Sequence, residues 1–139
     1  MKKNFVLIAA FIFIPFINVA IASDEEEVPY KEISAEQLLD LQRNDKSIVV
    51  IDSRGEKHFD GEVIKGAQHL SVKDTNFGTL SKILPSKEAG IVFYCSNTAC
   101  NASALSAYKA AASGYKKLYK YPGGIEEWKT KGLPTIMIN

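Results

Sequence analysis

IVFYCSNTACNASALSAYKAAASG, residues 91–114, is the stretch on which the fold turns. Its first four residues are apolar and either β-branched or aromatic, which suits a strand buried on both faces of a parallel sheet. Its second half is rich in alanine and other good helix formers, and it ends at Gly114, a residue suited to close a helix. Between the two lies a short polar loop holding both cysteines of the chain, Cys95 and Cys100. Strand, tight loop and helix in that order is the unit from which parallel sheets are built.

The same alternation extends in both directions. Upstream, Ser34 followed by Gln37 is a capping-box start for a helix carrying Leu38, Leu39 and Leu41, after a short extended piece near Tyr30. The run Ile48 to Ile51 is β-branched at all four positions and stops at Asp52, Ser53 and Arg54, so it reads as a second doubly buried strand. A helical turn, a glycine-punctuated loop and a brief strand near Gln68 to Val72 follow, then an amphipathic helix ended by Pro85 and Gly90. Downstream, Leu105, Tyr108 and Ala112 share one face of the helix after the loop, and that face is expected to meet the sheet. KLYKY is a fifth strand, Pro122-Gly123-Gly124 a sharp turn, and IEEWKTKG a last helix. The expectation is an α/β fold whose central, largely parallel five-stranded sheet is flanked by helices.

The first residues stand apart from that domain. Lys2 and Lys3 precede an almost wholly apolar run from Phe5 to Ala22, which ends in the small residues expected at a signal-peptidase site before Ser23. The expected organisation is a signal peptide over 1–22, an acidic linker over 23–29 and one domain over 30–137, with export to a periplasm or similar compartment. An uncleaved anchor is the alternative, disfavoured by Pro15 and Asn18 within the run. Cleavage removes two lysines and no acidic residue, so the net charge of +1 becomes −1. Without a basic excess, nucleic acid is not an expected partner. Stable membrane insertion is not expected once the signal is removed.

In an oxidising compartment two cysteines five apart are too few and too close for a disulfide scaffold, so their role is local. Ligands of open parallel sheets bind beyond the carboxyl ends of the strands, which is where Cys95 and Asp52 both lie. The loop Ser96, Asn97, Thr98, Ala99 must curl around its first residue and aim N–H groups and a helix N-terminus at the Cys95 sulfur. Thiols so placed commonly have pKa values of about 3.5 to 7.5 rather than about 8.5, and are thiolates at neutral pH.

IVVIDSRGEKHFDGEVIKGAQHL and IVFYCSNTACNASALSAYKAAASGYKKLYKYPGGIEEWKTKGLP together resemble the rhodanese-like sulfurtransferases. The likeness rests on the strand with Asp-x-Arg, a Gly-Ala stretch, the cysteine loop and its helix, and a Gly-Gly-x-x-x-Trp ending. It implies a nucleophile at Cys95, a substrate-binding loop formed by Ser96, Asn97, Thr98, Ala99 and Cys100, and support from Asp52 and Arg54. It implies no cofactor. The activity implied is transfer of a sulfane sulfur through a Cys95 persulfide, from thiosulfate, polysulfide or a persulfide to cyanide, a small thiol or a protein thiol.

The chain departs from the family pattern in two places. Glu62, Val63 and Ile64 stand where Gly-His-Ile is common, and Cys100 stands where a basic residue often closes the loop. The loop thus carries no formal positive charge, which favours polysulfide or persulfide donors over the dianion thiosulfate. Related phosphatases need an arginine six positions after the cysteine, and Asn101 occupies that position. Three roles are open to Cys100: attack on a Cys95 persulfide with formation of a disulfide, protection or regulation, and plain packing. A silent binding module or a thiol-disulfide redox protein with a Cys95–Cys100 disulfide are the alternatives to a sulfurtransferase. Asp52 and Arg54 are expected to pair and brace the loop. His58 and His69 match no zinc spacing with the cysteines, so no metal is expected. Trp128, Tyr115, Tyr119 and Tyr121 are expected in the core or partly exposed.

Overall fold

The two runs that are apolar at every position become neighbouring central strands. A computed structural model describes residues 27–139 and, ahead of them, only Ile12 and Pro15. The expected signal segment and most of the acidic linker therefore lie outside the described residues. Among the described residues no helix is long and apolar enough to cross a membrane.

In chain order the elements are β1 (Lys31–Glu32), α1 (Ala35–Asn44), β2 (Val49–Asp52), a 3-10 turn (Glu56–His58), β3 (Glu62–Ile64), β4 (Ala67–His69), α2 (Phe77–Ile83), β5 (Ile91–Tyr94), α3 (Ala102–Ala112), β6 (Leu118–Tyr121), α4 (Gly124–Thr130) and β7 (Thr135–Met137). Five strands form one sheet in the order β1-β6-β5-β2-β4. Every pairing in it is parallel, with Asp52 opposite Tyr94 at the end of β2 and β5. A parallel sheet needs cover on both faces, and the core divides accordingly. Leu38 of α1 and Ile125 and Trp128 of α4 pack with Val50, Val92 and Tyr94 on one face. Leu80 of α2 and Ala107 and Ala110 of α3 pack with Ile51, Ile91 and Phe93 on the other.

Local chemistry sets the boundaries. Ser34 and Gln37 form the reciprocal capping box at the start of α1, and Asn76 with Thr79 forms another at α2. Gly114, at φ +91°, follows the end of α3 in the left-handed region.

Two expectations need correction, and one further element was not anticipated. The face of α3 against the sheet is built from Ala102, Ser103, Ser106, Ala107 and Ala110, whereas Leu105 and Tyr108 are 48% and 40% exposed. The helix lies so close to the strands that only small side chains fit between, and Tyr108 packs edge-on against Tyr30 instead. The strand expected over Gln68 to Val72 is Ala67–His69, because the Ser71 carbonyl and hydroxyl accept from Lys73, Asp74 and Thr75 in a turn. Finally, β3 and β7 form a small antiparallel ribbon that the sequence did not announce. Trp128 anchors the approach to it by donating its indole N–H to the Pro134 carbonyl at 2.9 Å.

Candidate functional site at the carboxyl edge of the sheet

Cys95 follows the last residue of β5, and the loop from Ser96 to Asn101 leads into α3. Ser53, one step past β2, donates its N–H to the Tyr94 carbonyl at 2.8 Å, so the ends of both strands stay in register up to the loop. Cys95 is 3% exposed yet belongs to neither apolar cluster of the core. It is disulfide-bonded to Cys100, with the two α-carbons 6.2 Å apart.

The loop is held from within and from α4. Asn97 is the internal hub: its side-chain oxygen accepts the Ala99 N–H at 3.0 Å and its carbonyl the Cys100 N–H at 3.1 Å. Two of the amides expected to face the sulfur are therefore used inside the loop, because a turn this tight satisfies its own donors first. The N–H groups of Ser96, Asn97 and Thr98 have no hydrogen-bond partner among the described residues. From the other side, the Cys95 and Ser96 carbonyls accept the N–H groups of Ile125 and Glu126, both at 3.0 Å. The first turn of α4 thus supplies donors that the loop backbone needs. Gly124, at φ +66°, makes that approach possible: a Cβ there would lie 2.5 Å from the carbonyl oxygens of both Cys95 and Ser96.

Behind the loop, Asp52 and Arg54 form a buried pair. The Arg54 Nη2 lies 2.7 Å from Asp52 Oδ2, and Nε reaches both carboxylate oxygens at 3.1 and 3.0 Å. The same guanidinium donates to the carbonyls of His58 and Glu62 and to Asp60 Oδ1. Burial pulls the Arg54 pKa down, but the hydrogen bond and charge of Asp52 outweigh it and the pKa is raised. Burial pushes the Tyr94 phenol up, with the neighbouring Asp52 charge adding to the effect, so it stays neutral. The pair braces Tyr94 and the segment 58–62. It makes no hydrogen bond to the cysteine loop, so the expected bracing is one residue removed.

Beside the loop a cleft of about 360 Å³ is lined by His58, Ser96, Asn97, Ala99, Cys100 and Glu126. A second, of about 590 Å³, adjoins it along Arg54, His58, Asp60, Ser96, Glu126 and Lys129. The cations there are engaged: Arg54 with Asp52, and Lys129 with Glu62 at 2.5 Å. Glu126, by contrast, presents a carboxylate that accepts from Asn97 Nδ2 at 3.0 Å. The mouth is therefore neutral to negative. His69 is spent elsewhere, with Nε2 2.7 Å from the Arg54 carbonyl and its ring stacked on Phe59 at 3.7 Å. Among the described residues no group of three or more His, Cys, Asp and Glu side chains is placed to hold a metal ion.

A sequence model of the rhodanese-like domain matches residues 34–131. The chain belongs to the rhodanese-like family. No curated protein matches it by sequence. Among solved structures, protein BH2092 of Bacillus halodurans is similar at 27% identity and a TM-score of 0.68, over 77% of each chain. The rhodanese-like domain of Alr3790 protein from Anabaena sp. is 20% identical, with a TM-score of 0.65 over 77% of this chain and 79% of that one. Thiosulfate sulfurtransferase from Pseudomonas aeruginosa shares the fold at 14% identity and a TM-score of 0.65, this chain covering 20% of its length.

Within this rhodanese-like domain, Cys95, Ser96, Asn97, Thr98, Ala99 and Cys100 make one continuous loop, and Asp52 and Arg54 stand behind it. Sequence reasoning missed Glu126 and His58 at the mouth, and Gly124 as a contact of the cysteine. Only Gly124 carried a signal, because a glycine pair before a helix marks a close approach or a left-handed residue. Ser53 was also missed: its buried hydroxyl has no hydrogen-bond partner among the described residues, and it lies beside Cys95 at the strand ends.

Proposed function

We propose that this chain is a sulfurtransferase in which Cys95 accepts a sulfane sulfur and passes it to a thiol or cyanide. The observation that carries the reading is the loop itself: a cysteine at the carboxyl end of a central strand, followed by three N–H groups with no other partner. These donors, with the start of α3, are what the protein offers to a negatively charged outer sulfur. The Cys95 thiolate attacks the terminal sulfur of a persulfide or polysulfide. The S–S bond breaks, the donor leaves as a thiolate, and Cys95 carries the persulfide. A thiosulfate sulfurtransferase shares the fold, but among the described residues the mouth of this loop offers no free cation, which favours a donor of lower charge, such as a small or protein-bound persulfide, over the dianion thiosulfate. Export behind the apolar run Phe5 to Ala22 belongs to the same proposal and implies a donor and acceptor found outside the cytoplasm.

Mass spectrometry of the reduced protein after exposure to polysulfide tests it. The expected product in Cys100→Ser, which has no second thiol to discharge it, is one sulfur heavier, and it is absent when Cys95 is replaced by serine as well; no adduct on Cys100→Ser with polysulfide, a small persulfide or thiosulfate rejects the reading. The Cys95–Cys100 disulfide favours one further reading, a silent module whose carboxyl edge binds a partner protein. Thiol titration under native conditions separates the two, since a silent disulfide resists mild reduction.

A further inference from the structure

We infer a further activity that rests on the reading above: the domain reduces sulfane sulfur to hydrogen sulfide, with Cys100 as the resolving thiol. Three observations support it. The two α-carbons are 6.2 Å apart, inside the range of about 4.4 to 6.8 Å in which a disulfide forms without backbone movement. The described residues offer a Cys95 persulfide no free cation, and the amides of Ala99 and Cys100 are already bonded to Asn97, so the outer sulfur is held by the N–H groups of Ser96, Asn97 and Thr98 alone and remains free to leave. Access is also unequal. Cys95 is 3% exposed, whereas Cys100 lines the cleft with His58, Asn97 and Glu126. The group best placed to reach the inner sulfur of a Cys95 persulfide is therefore in the same loop.

The chemistry balances without a metal or cofactor. The Cys100 thiolate attacks the Cys95 sulfur, and a Cys95–Cys100 bond forms. The bond to the outer sulfur breaks, and that sulfur takes the electron pair and leaves as hydrosulfide. The sulfane sulfur is reduced and the two cysteines are oxidised. An external thiol then reopens the disulfide, meeting Cys100 first because exchange goes to the accessible sulfur. A second thiol completes the reduction and leaves as a small disulfide. One persulfide and two thiols thus become one thiol, one hydrogen sulfide and one disulfide.

The test uses reduced protein, exposed briefly to polysulfide, desalted, and kept free of thiol. Wild type is expected to emerge two hydrogens lighter than the reduced protein, with no retained sulfur. Cys100→Ser and Cys100→Ala are expected to emerge one sulfur heavier and to release sulfide only when a thiol is added. A wild type that keeps the extra sulfur, or that becomes a disulfide equally well when polysulfide is omitted, overturns the inference. Release of sulfide from the Cys100 variants without thiol, at the wild-type rate, does so as well. If the Cys100 variants fold but take up no sulfur, the sulfurtransferase reading itself fails and this inference falls with it.

Discussion

Gly124 sits against the backbone of Cys95: a β-carbon on residue 124 would be 2.5 Å from the Cys95 carbonyl oxygen. The contact is backbone on backbone, so neither partner can swing aside. Gly124→Ala combines a left-handed residue, costing about 1 to 2 kcal/mol, with overpacking of about 1 to 3 kcal/mol. The expected outcome is a melting temperature lower by several degrees and a larger loss of sulfur loading, because the cysteine loop must move to relieve the clash. Gly123→Ala is the control, since φ there is −61° and an added methyl chiefly meets the mobile carboxylate of Glu127. Equal damage from both substitutions contradicts the argument.

The Asp52–Arg54 pair predicts a difference between breaking and replacing. Asp52 is fully buried and Arg54 is 4% exposed. Arg54→Ala leaves a buried carboxylate without its partner, at a cost of about 3 to 5 kcal/mol. Arg54→Lys rescues little, because one ammonium cannot serve Asp52, Asp60 and two carbonyls at once. Asp52→Leu combined with Arg54→Met is expected to lose less than Arg54→Ala alone. Urea denaturation of the three variants decides it, and a double variant worse than the single reverses the reading.

The parts of this fold that could be read from sequence were those fixed by neighbours in the chain. Ser34 and Gln37 close a capping box within one turn, and the runs Ile48–Ile51 and Ile91–Tyr94 are apolar throughout, with all four residues of the second buried and Val50 and Ile51 of the first, while Ile48 and Val49 are half-buried. The orientation of α3 was misread because Leu105 and Tyr108 dominate any apolar count, whereas the residues touching the sheet are small and weigh little in it. The ribbon of β3 and β7 was illegible because three-residue strands have no periodicity, and Val63 meets Ile136 across 73 positions of chain. The same limit applies at the site. Cys95 and its loop are contiguous and so can be read as one segment of the sequence, whereas Glu126 and Gly124 reach them only through tertiary folding.

Ser53 predicts a separation of stability from activity. Its hydroxyl is buried with no partner among the described residues, so Ser53→Ala removes a desolvated group rather than a hydrogen bond. Alternation along β2 places residue 53 on the same face as Ile51, and β5 does likewise for Cys95 and Phe93. A hydroxyl there is available to a sulfur carried on Cys95. Ser53→Ala is expected to melt no lower than wild type while loading sulfur several-fold more slowly, consistent with one hydrogen bond of about 1 kcal/mol. A clear fall in melting temperature with unchanged loading contradicts it.

Acid should destabilise the fold gently and in a salt-dependent way. The hydrogen bond from Lys131 lowers Glu36 from its ordinary 4.5 to about 2, and that from Lys117 lowers Asp45 from 3.8 to about 2. The hydrogen bond from Lys129 lowers Glu62 as well. A carboxylate whose folded pKa is depressed contributes stability above its unfolded pKa and loses it as the pH falls through the folded value. The melting temperature is therefore expected to be level down to about pH 5 and to fall between about 4.5 and 2. All three groups face solvent, so high salt should flatten the slope. A steeper fall at high salt than at low salt contradicts this origin.

Glu126 puts a negative charge at the mouth of the cysteine loop, and under the proposed function this charge is expected to select among donors. Its carboxylate is 3.0 Å from Asn97 Nδ2 and lines the cleft beside Cys100. A dianionic donor entering there meets a negative charge with no free cation among the described residues to offset it, whereas a singly charged alkyl persulfide is repelled less strongly. Glu126→Gln removes the repulsion and Glu126→Lys inverts it. In a water-accessible cleft each step is worth on the order of 1 kcal/mol, or several-fold in kcat/KM. Thiosulfate activity is expected to rise from wild type to Gln to Lys, while activity with a singly charged alkyl persulfide rises less. The increments should shrink as ionic strength rises, because the interaction is exposed to counterions. Equal gains with both donors would point to a loosened loop, since loss of the Asn97 contact acts on every substrate, whereas a change of charge at the mouth discriminates by donor charge.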